Sequence, residues 1–233
     1  MTLVMFDVDG TLTHSNELDT RCFVQAMGEV FGFVGIDDDW SHYPHTSDAG
    51  IIAALFQNRL QRSPTPDELR RYKSHFLGLL AAQLQLTPMR EITGAGRLLA
   101  LLGRQPGIAL ALASGAWRES ARAKMLSAGL PFDEFPGGFS EDAAARTEIM
   151  LASRRRAVER HGGNPFHKWV YLGDAVWDAR ACHQLGVPLI GLASGEPAQQ
   201  LLNAGAGEVL ADYAEPEAVL AAIARVGLVP SPG

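Results

Sequence analysis

The chain has 233 residues, of which 47% are hydrophobic and 20% charged, and a formal net charge of −6. That size and composition support a globular fold with a full core, in one large domain or two smaller ones, and exclude a disordered chain; the acidic balance argues against a general grip on nucleic acid. No basic leader precedes the first apolar stretch, no apolar run reaches membrane-spanning length, and Cys22 and Cys182 lack metal-binding company, so a cytoplasmic protein with reduced thiols and no membrane partner is expected.

The chain opens on an apolar run, Leu3, Val4, Met5 and Phe6, which reads as a strand over residues 3 to 7, buried on both faces of a sheet. Asp7 and Asp9 stand at its carboxyl end, ahead of a turn at Gly10 and Thr11. Side chains two apart on an extended chain face the same side, so the two acids are expected to share one small volume. Their repulsion requires an offset: a bound cation, a shared proton or a nearby basic group.

Residues 14 to 88 read as helical throughout, in segments 18 to 31, 47 to 60 and 66 to 86. The last begins with Thr65 as N-cap, Pro66 at the first helical position and Glu68 three residues after the cap. These helices form an inserted subdomain whose exits, near His14 and Pro88, place it above the end of the first strand. From residue 90 the pattern alternates. Strand-like runs at 108 to 113, 169 to 172, 188 to 192 and 208 to 211 are separated by helical candidates at 94 to 103, 117 to 128, 147 to 161, 175 to 185, 197 to 204 and 215 to 226. Such alternation predicts a parallel sheet flanked by helices, formed by residues 1 to 13 and 89 to 233, with 14 to 88 as a second domain.

Polar signatures follow two of these later strands: Ser114-Gly115 after the second, and Gly173-Asp174 through Asp178 after the run at 169 to 172. Ligands bind beyond the carboxyl ends of strands in open parallel sheets, so Asp7, Asp9, Ser114 and Asp174 are expected to converge.

Taken together, the DVDGT run from Asp7 to Thr11, Ser114 after an apolar strand and Gly173-Asp174 to Asp178 resemble, in order and spacing, the motifs of the haloacid dehalogenase (HAD) superfamily of phosphohydrolases and mutases. The helical insert after the first motif is similar to the C1 cap of phosphoglycolate phosphatases and beta-phosphoglucomutases. This resemblance implies an α/β, HAD-like Rossmannoid sheet with Asp7 as nucleophile and Asp9 as general acid and base. It implies Mg2+ held by Asp7, the backbone carbonyl of Asp9 and Asp174. Ser114 and the Gly115 amide would bind phosphoryl oxygens, and Thr11 would orient the first loop or contact phosphate. Asp178 would either serve the metal through water or cap its helix. A metal would answer the repulsion between the two acids and draw phosphate to an acidic site.

One element departs from the resemblance. The superfamily's third motif is usually a lysine, but FSEDAAARTEIM contains none, and Arg146 occupies the corresponding place 28 residues ahead of Asp174. Its guanidinium could clamp two phosphate oxygens and neutralise charge. Lys124 and Lys168 are rivals in less suitable positions. In the insert, His14 lies at the hinge, and Arg21, Tyr43, His45, Thr46 and Asp48 could reach a substrate, while His42 and His45 read more simply as solvated loop residues.

The expected function is a Mg2+-dependent phosphatase that hydrolyses a small phosphorylated metabolite through an aspartyl-phosphate. The alternatives are a phosphomutase of the beta-phosphoglucomutase kind and a non-catalytic phosphoryl-binding module. The large insert and the spacing of Asp7 and Asp9 do not fit the latter. A true dehalogenase would lack the second acid. The sequence leaves the oligomeric state open.

Overall fold

The computed structural model describes residues 1–226, so the last residues of the 89 to 233 segment lie outside the described part. Six strands, β1 (Thr2–Phe6), β2 (Ile108–Ala113), β3 (Gly137–Gly138), β4 (Lys168–Gly173), β5 (Leu189–Leu192) and β6 (Glu208–Leu210), form one sheet in the order β3-β2-β1-β4-β5-β6. Every neighbouring pair is parallel. β1 lies in the middle, with Thr2 to Phe6 paired against Ile108 to Leu112 on one side and Lys168 to Leu172 on the other. The chain builds outward from β1 in one direction and then in the other, so the crevice where the order reverses opens beside the end of β1.

Apolar residues alternate across this central strand. Val4 and Phe6 face a cluster completed by α4 (Ala95–Gly103), α5 (Arg118–Ser127) and α9 (Pro216–Val226). Leu3 and Met5 face a second cluster, with α6 (Arg146–Arg160), α7 (Val176–Leu185) and α8 (Gly195–Asn203). All four side chains are fully buried, as a sheet covered by helices on both faces demands. No helix among the described residues is long and apolar enough to cross a membrane.

The strand absent from the sequence-based expectation is β3. Its two residues are glycines with no apolar signal to read, and the reason is steric: a Cβ on Gly138 would lie 2.1 Å from the Ile149 carbonyl oxygen. Side chains there would push α6 off the sheet.

The remaining helices are α1 (Asn16–Phe31), α2 (Asp48–Leu60) and α3 (Pro66–Leu86), with a 3-10 turn at Trp40–His42 that the sequence did not suggest. The capping box at the start of α3 forms as expected, with Thr65 and Glu68 each bonding the other's backbone N–H. The three helices share an apolar cluster that includes Phe23, Phe56, Tyr72 and Phe76. Edge-on contact of Phe23 with Tyr72, at 5.4 Å, and a Tyr72 hydroxyl donating to the Phe23 carbonyl at 3.2 Å tie α1 to α3.

This bundle is seated on the sheet by Trp117, which heads α5 and packs into the bundle's cluster. The start of α2 is bonded to the loops beyond the strands. Asp48 N–H donates to the Gly115 carbonyl at 2.8 Å, and its carboxylate accepts from Trp117 N–H at 2.8 Å. Ser47 donates to the Ala144 carbonyl at 2.8 Å. The helices therefore roof the carboxyl ends of the strands.

Candidate active site

The loop after β1 is a tight turn. Asp7 N–H still donates to the Leu172 carbonyl of β4 at 2.9 Å, and Val8 N–H closes onto the Asp7 carboxylate at 2.7 Å. Gly10 has φ +70, the left-handed conformation that favours glycine, and a Cβ there would lie 1.9 Å from Asp174 Oδ2. The space a side chain would need is filled by the acid arriving from β4.

That acid completes a group. Carboxylate oxygens of Asp7, Asp174 and Asp178 lie within 4.8 Å of one another. Asp174 accepts from Thr11 Oγ1 at 3.3 Å and from Asn16 Nδ2 at 3.0 Å, and Asp178 Oδ2 accepts from Ala175 N–H at 3.2 Å. The other oxygen of Asp178 is buried without a hydrogen-bond partner. Burial pushes all three carboxyls above the ordinary aspartate value, Asp178 to about 7; repulsion adds to this, from Asp9 at Asp7, from Asp178 and Asp7 at Asp174, and from Asp7 at Asp178. Three hard oxygen donors, one of them unsatisfied, in a pocket that resists accumulating negative charge, fit a small divalent cation. Asp178 caps the start of α7 through its bond from Ala175 N–H, and its carboxylate also lies within the group.

Arg146 opens α6 and points into the same pocket with 9% of its side chain exposed. Its Nη1 is 3.5 Å from Asp7 and its Nε 3.5 Å from Asp178, so its charge counters the burial that raises Asp7. Ser114 follows β2 directly and is buried, with its hydroxyl accepting from Ala116 N–H at 3.2 Å and helping to hold charge on Asp7. A Cβ on Gly115 would lie 2.7 Å from the Thr46 carbonyl and 3.4 Å from Arg146 Nη2, so only glycine lets the roof and the arginine approach this closely. Of the three basic candidates, Arg146 is the one beside Asp7. Lys168 starts β4 at the opposite end of the sheet and donates to the carbonyls of Ile223 and Ala224.

Asp9 shares the cleft with Asp7 but aims elsewhere, because the extended path ends at Phe6 and strand periodicity no longer holds two residues on. Its Oδ1 receives the Ser15 hydroxyl and lies 2.6 Å from Lys124 Nζ. Its side chain is outside the three-carboxylate group; only its main-chain carbonyl was expected to contribute there. Lys124 is fully buried and also donates to Asp19 at 2.6 Å. Burial opposes its charge, but Asp19 and Asp9 outweigh that and hold the ammonium protonated above its usual range.

These groups line a cleft of about 650 Å³ between the strand ends and the roof. Arg21, Thr46 and Asp48 line it as expected, whereas Tyr43 and His45 do not. Tyr43 instead donates to the Asp37 carbonyl at 2.8 Å, and His42 pairs with Asp37 at 2.8 Å. His14 borders a separate cavity of about 240 Å³, with Arg90. Asn16, Asp19 and Trp177 line the main cleft without having stood out in the sequence. For Asn16 the available signal was its place at a helix start a few residues beyond the DVDGT run.

Comparison with known proteins follows the same direction. The family model of haloacid dehalogenase-like hydrolases matches residues 1–186. No curated protein matches the chain. A hydrolase from Pseudomonas syringae is similar over 96% of this chain and 99% of its own, with 20% identity and a TM-score of 0.74. CbbY from Rhodobacter sphaeroides, solved in complex with phosphate, is similar over 91% of this chain and 95% of its own, with 24% identity and a TM-score of 0.65. A beta-phosphoglucomutase-like protein from Bacteroides vulgatus is similar over 98% of this chain and 91% of its own, with 16% identity and a TM-score of 0.69. At these identities the structural likeness is one of fold.

Proposed function

The chain belongs to the haloacid dehalogenase-like hydrolases, and from that premise we propose that it is a Mg2+-dependent phosphatase of small organic phosphate monoesters, working through an aspartyl-phosphate. The observation that carries this reading is the meeting of Asp7, Asp174 and Asp178 with Arg146 at the reversal point of the sheet. In this reading residues 14 to 88 act as a cap that excludes water and reads the substrate.

Asp7 attacks phosphorus, forming a bond to its carboxylate oxygen as the ester bond to the leaving alkoxide breaks. Asp9 gives that alkoxide a proton, then takes one from the water that attacks the aspartyl-phosphate, releasing inorganic phosphate and restoring Asp7. Arg146, the Ser114 hydroxyl and the Gly115 amide hold the non-bridging oxygens, whose charge shifts during transfer. Mg2+, held by Asp7, Asp174 and the Asp9 carbonyl with Asp178 as a further carboxylate, would offset the repulsion between phosphate and these acids. Thr11 and Asn16 keep Asp174 aimed at the centre.

The roof side of the cleft carries Glu17, Asp19, Asp38, Asp39 and Asp48; Arg21 pairs with Glu17 and the buried Lys124 with Asp19, which leaves the acids in excess. Esters whose remainder is neutral or cationic therefore suit it better than those carrying a second anionic group. The test is phosphate release from p-nitrophenyl phosphate and a panel of metabolite monophosphates, with Mg2+ or with chelator, and with Asp7→Asn as the blank. Metal-dependent turnover that vanishes in the blank supports the reading. A protein that moves phosphoryl groups between sugar positions without releasing phosphate is a mutase and refutes it.

A further inference from the structure

Lys124 is a fully buried cationic side chain beside the cleft that the phosphatase chemistry above leaves without a task. It sits on α5 beside the buried apolar residues Ala121 and Met125, a place where another apolar side chain would satisfy packing. Burying an ammonium there costs several kcal/mol unless it is well paired. Its two partners come from elsewhere: Asp9 from the loop after β1 and Asp19 from the first turn of α1, each 2.6 Å from Nζ. One ammonium thus joins the sheet's flanking helix, the proposed acid and the first helix of the roof.

The contacts on Asp9 are one-sided. Lys124 and the Ser15 hydroxyl both meet Oδ1, and Ser15 is itself fixed by Thr13 Oγ1 at 2.8 Å. Among the described residues no hydrogen bond falls on Oδ2, while Asp9 lines the cleft. Two groups hold one oxygen and leave the other without a hydrogen bond.

We propose that Lys124 is a positioning residue that, with Ser15, clamps Oδ1 of Asp9 so that Oδ2 is the oxygen that carries the proton to the leaving group, and that Asp19 ties this clamp to the roof. The proposal rests on the reading of Asp9 as general acid and base. A group acting through Asp9 affects ester cleavage only when the leaving group needs a proton. It affects hydrolysis of the aspartyl-phosphate for every substrate, because that intermediate is common to all.

The experiment compares Lys124→Met with the parent protein on an alkyl phosphate and on 2,4-dinitrophenyl phosphate, whose leaving group departs unprotonated. For Lys124→Met, kcat/KM on the alkyl ester is expected to fall about a hundredfold and on the dinitrophenyl ester no more than about threefold, while kcat falls on both. A burst of dinitrophenol followed by slow turnover accompanies this split. Ser15→Ala, which removes the other clamp on Oδ1, should show the same selectivity at smaller amplitude, and it carries the test if Lys124→Met does not fold. Equal losses of kcat/KM on both esters, or no loss on either, in whichever variant folds, overturn the proposal in favour of a structural or phosphate-binding lysine. If the parent protein cleaves neither ester, the underlying reading of Asp9 fails, and this inference falls with it.

Discussion

Replacing Arg146 by methionine removes the positive charge that stands between Asp7 and Asp178. Both contacts are 3.5 Å long and lie in a site where the two carboxylates are 4% and 0% exposed. At an effective dielectric constant of about 20, each unit-charge contact at that separation is worth roughly 5 kcal/mol of gross attraction. Desolvation of the guanidinium offsets much of this, and Asp178, whose carboxyl is pushed up to about 7, can relieve part of the rest by taking a proton. The net cost at neutral pH without metal is therefore at the low end for a broken buried pair, about 3 kcal/mol. For a chain of this size that lowers the thermal midpoint by roughly 6 to 12 °C. Added Mg2+ should narrow the gap, since a cation at the three carboxylates replaces part of the lost charge. Catalysis loses a donor to the transferring phosphoryl group, an effect of about 10² to 10³ in kcat. Arg146→Lys should recover part of both. Thermal unfolding with chelator and with Mg2+, beside steady-state phosphate release, reads the two effects. Near-normal stability and turnover in Arg146→Met, with turnover lost instead in Lys168→Met, would refute the reasoning.

Three further outcomes are expected. Because Asp178 has a folded-state pKa raised from 3.8 to about 7, the unfolded chain ionises first as pH rises, so the metal-free protein should lose stability between about pH 4 and 7 and level off above. The full shift corresponds to at most about 4 kcal/mol; Mg2+ stabilisation measured by thermal unfolding should grow over the same range, and Asp178→Asn should flatten the metal-free profile. Gly10→Ala forces a left-handed backbone on a side chain whose Cβ meets Asp174, so its stability should drop by more than the 1 to 2 kcal/mol or so of backbone strain alone, with a higher Mg2+ requirement in a metal titration of activity. Asp9→Asn should reduce alkyl phosphate turnover by about 10² to 10⁴, while stopped-flow measurement still shows one burst from an activated aryl phosphate; full activity would remove Asp9 from the mechanism.

The legible parts of the fold are those where one physical signal decides. β1, β2 and β4 are buried apolar runs, and α3 carries its start signal in Thr65, Pro66 and Glu68. β3 was hidden because Gly137 and Gly138 are selected by the closeness of α6, which no local pattern records. In the site, Asp7, Ser114 and Asp174 could be read from their places after strands, and Arg146 from its place ahead of a helix. The direction of Asp9 could not, since it depends on a turn and on a lysine 115 residues further along the chain. Lys124 reads in sequence only as a less suitable rival to Arg146; its burial against Asp9 and Asp19, 115 and 105 residues away, has no local signal. Tyr43 illustrates the opposite case: a polar loop near a cleft invites a substrate role, but Tyr43 is spent within the loop, on the Asp37 carbonyl.

The central claim is that Asp7 carries the phosphoryl group during turnover. Acid quench of the protein during steady turnover with Mg2+, followed by peptide mass spectrometry, measures this directly. The account predicts one added phosphoryl group on the peptide containing Asp7, lost on treatment with hydroxylamine and absent with chelator or in Asp7→Asn. Sustained phosphate release with Asp7 unmodified, or undiminished turnover in Asp7→Asn, would contradict it.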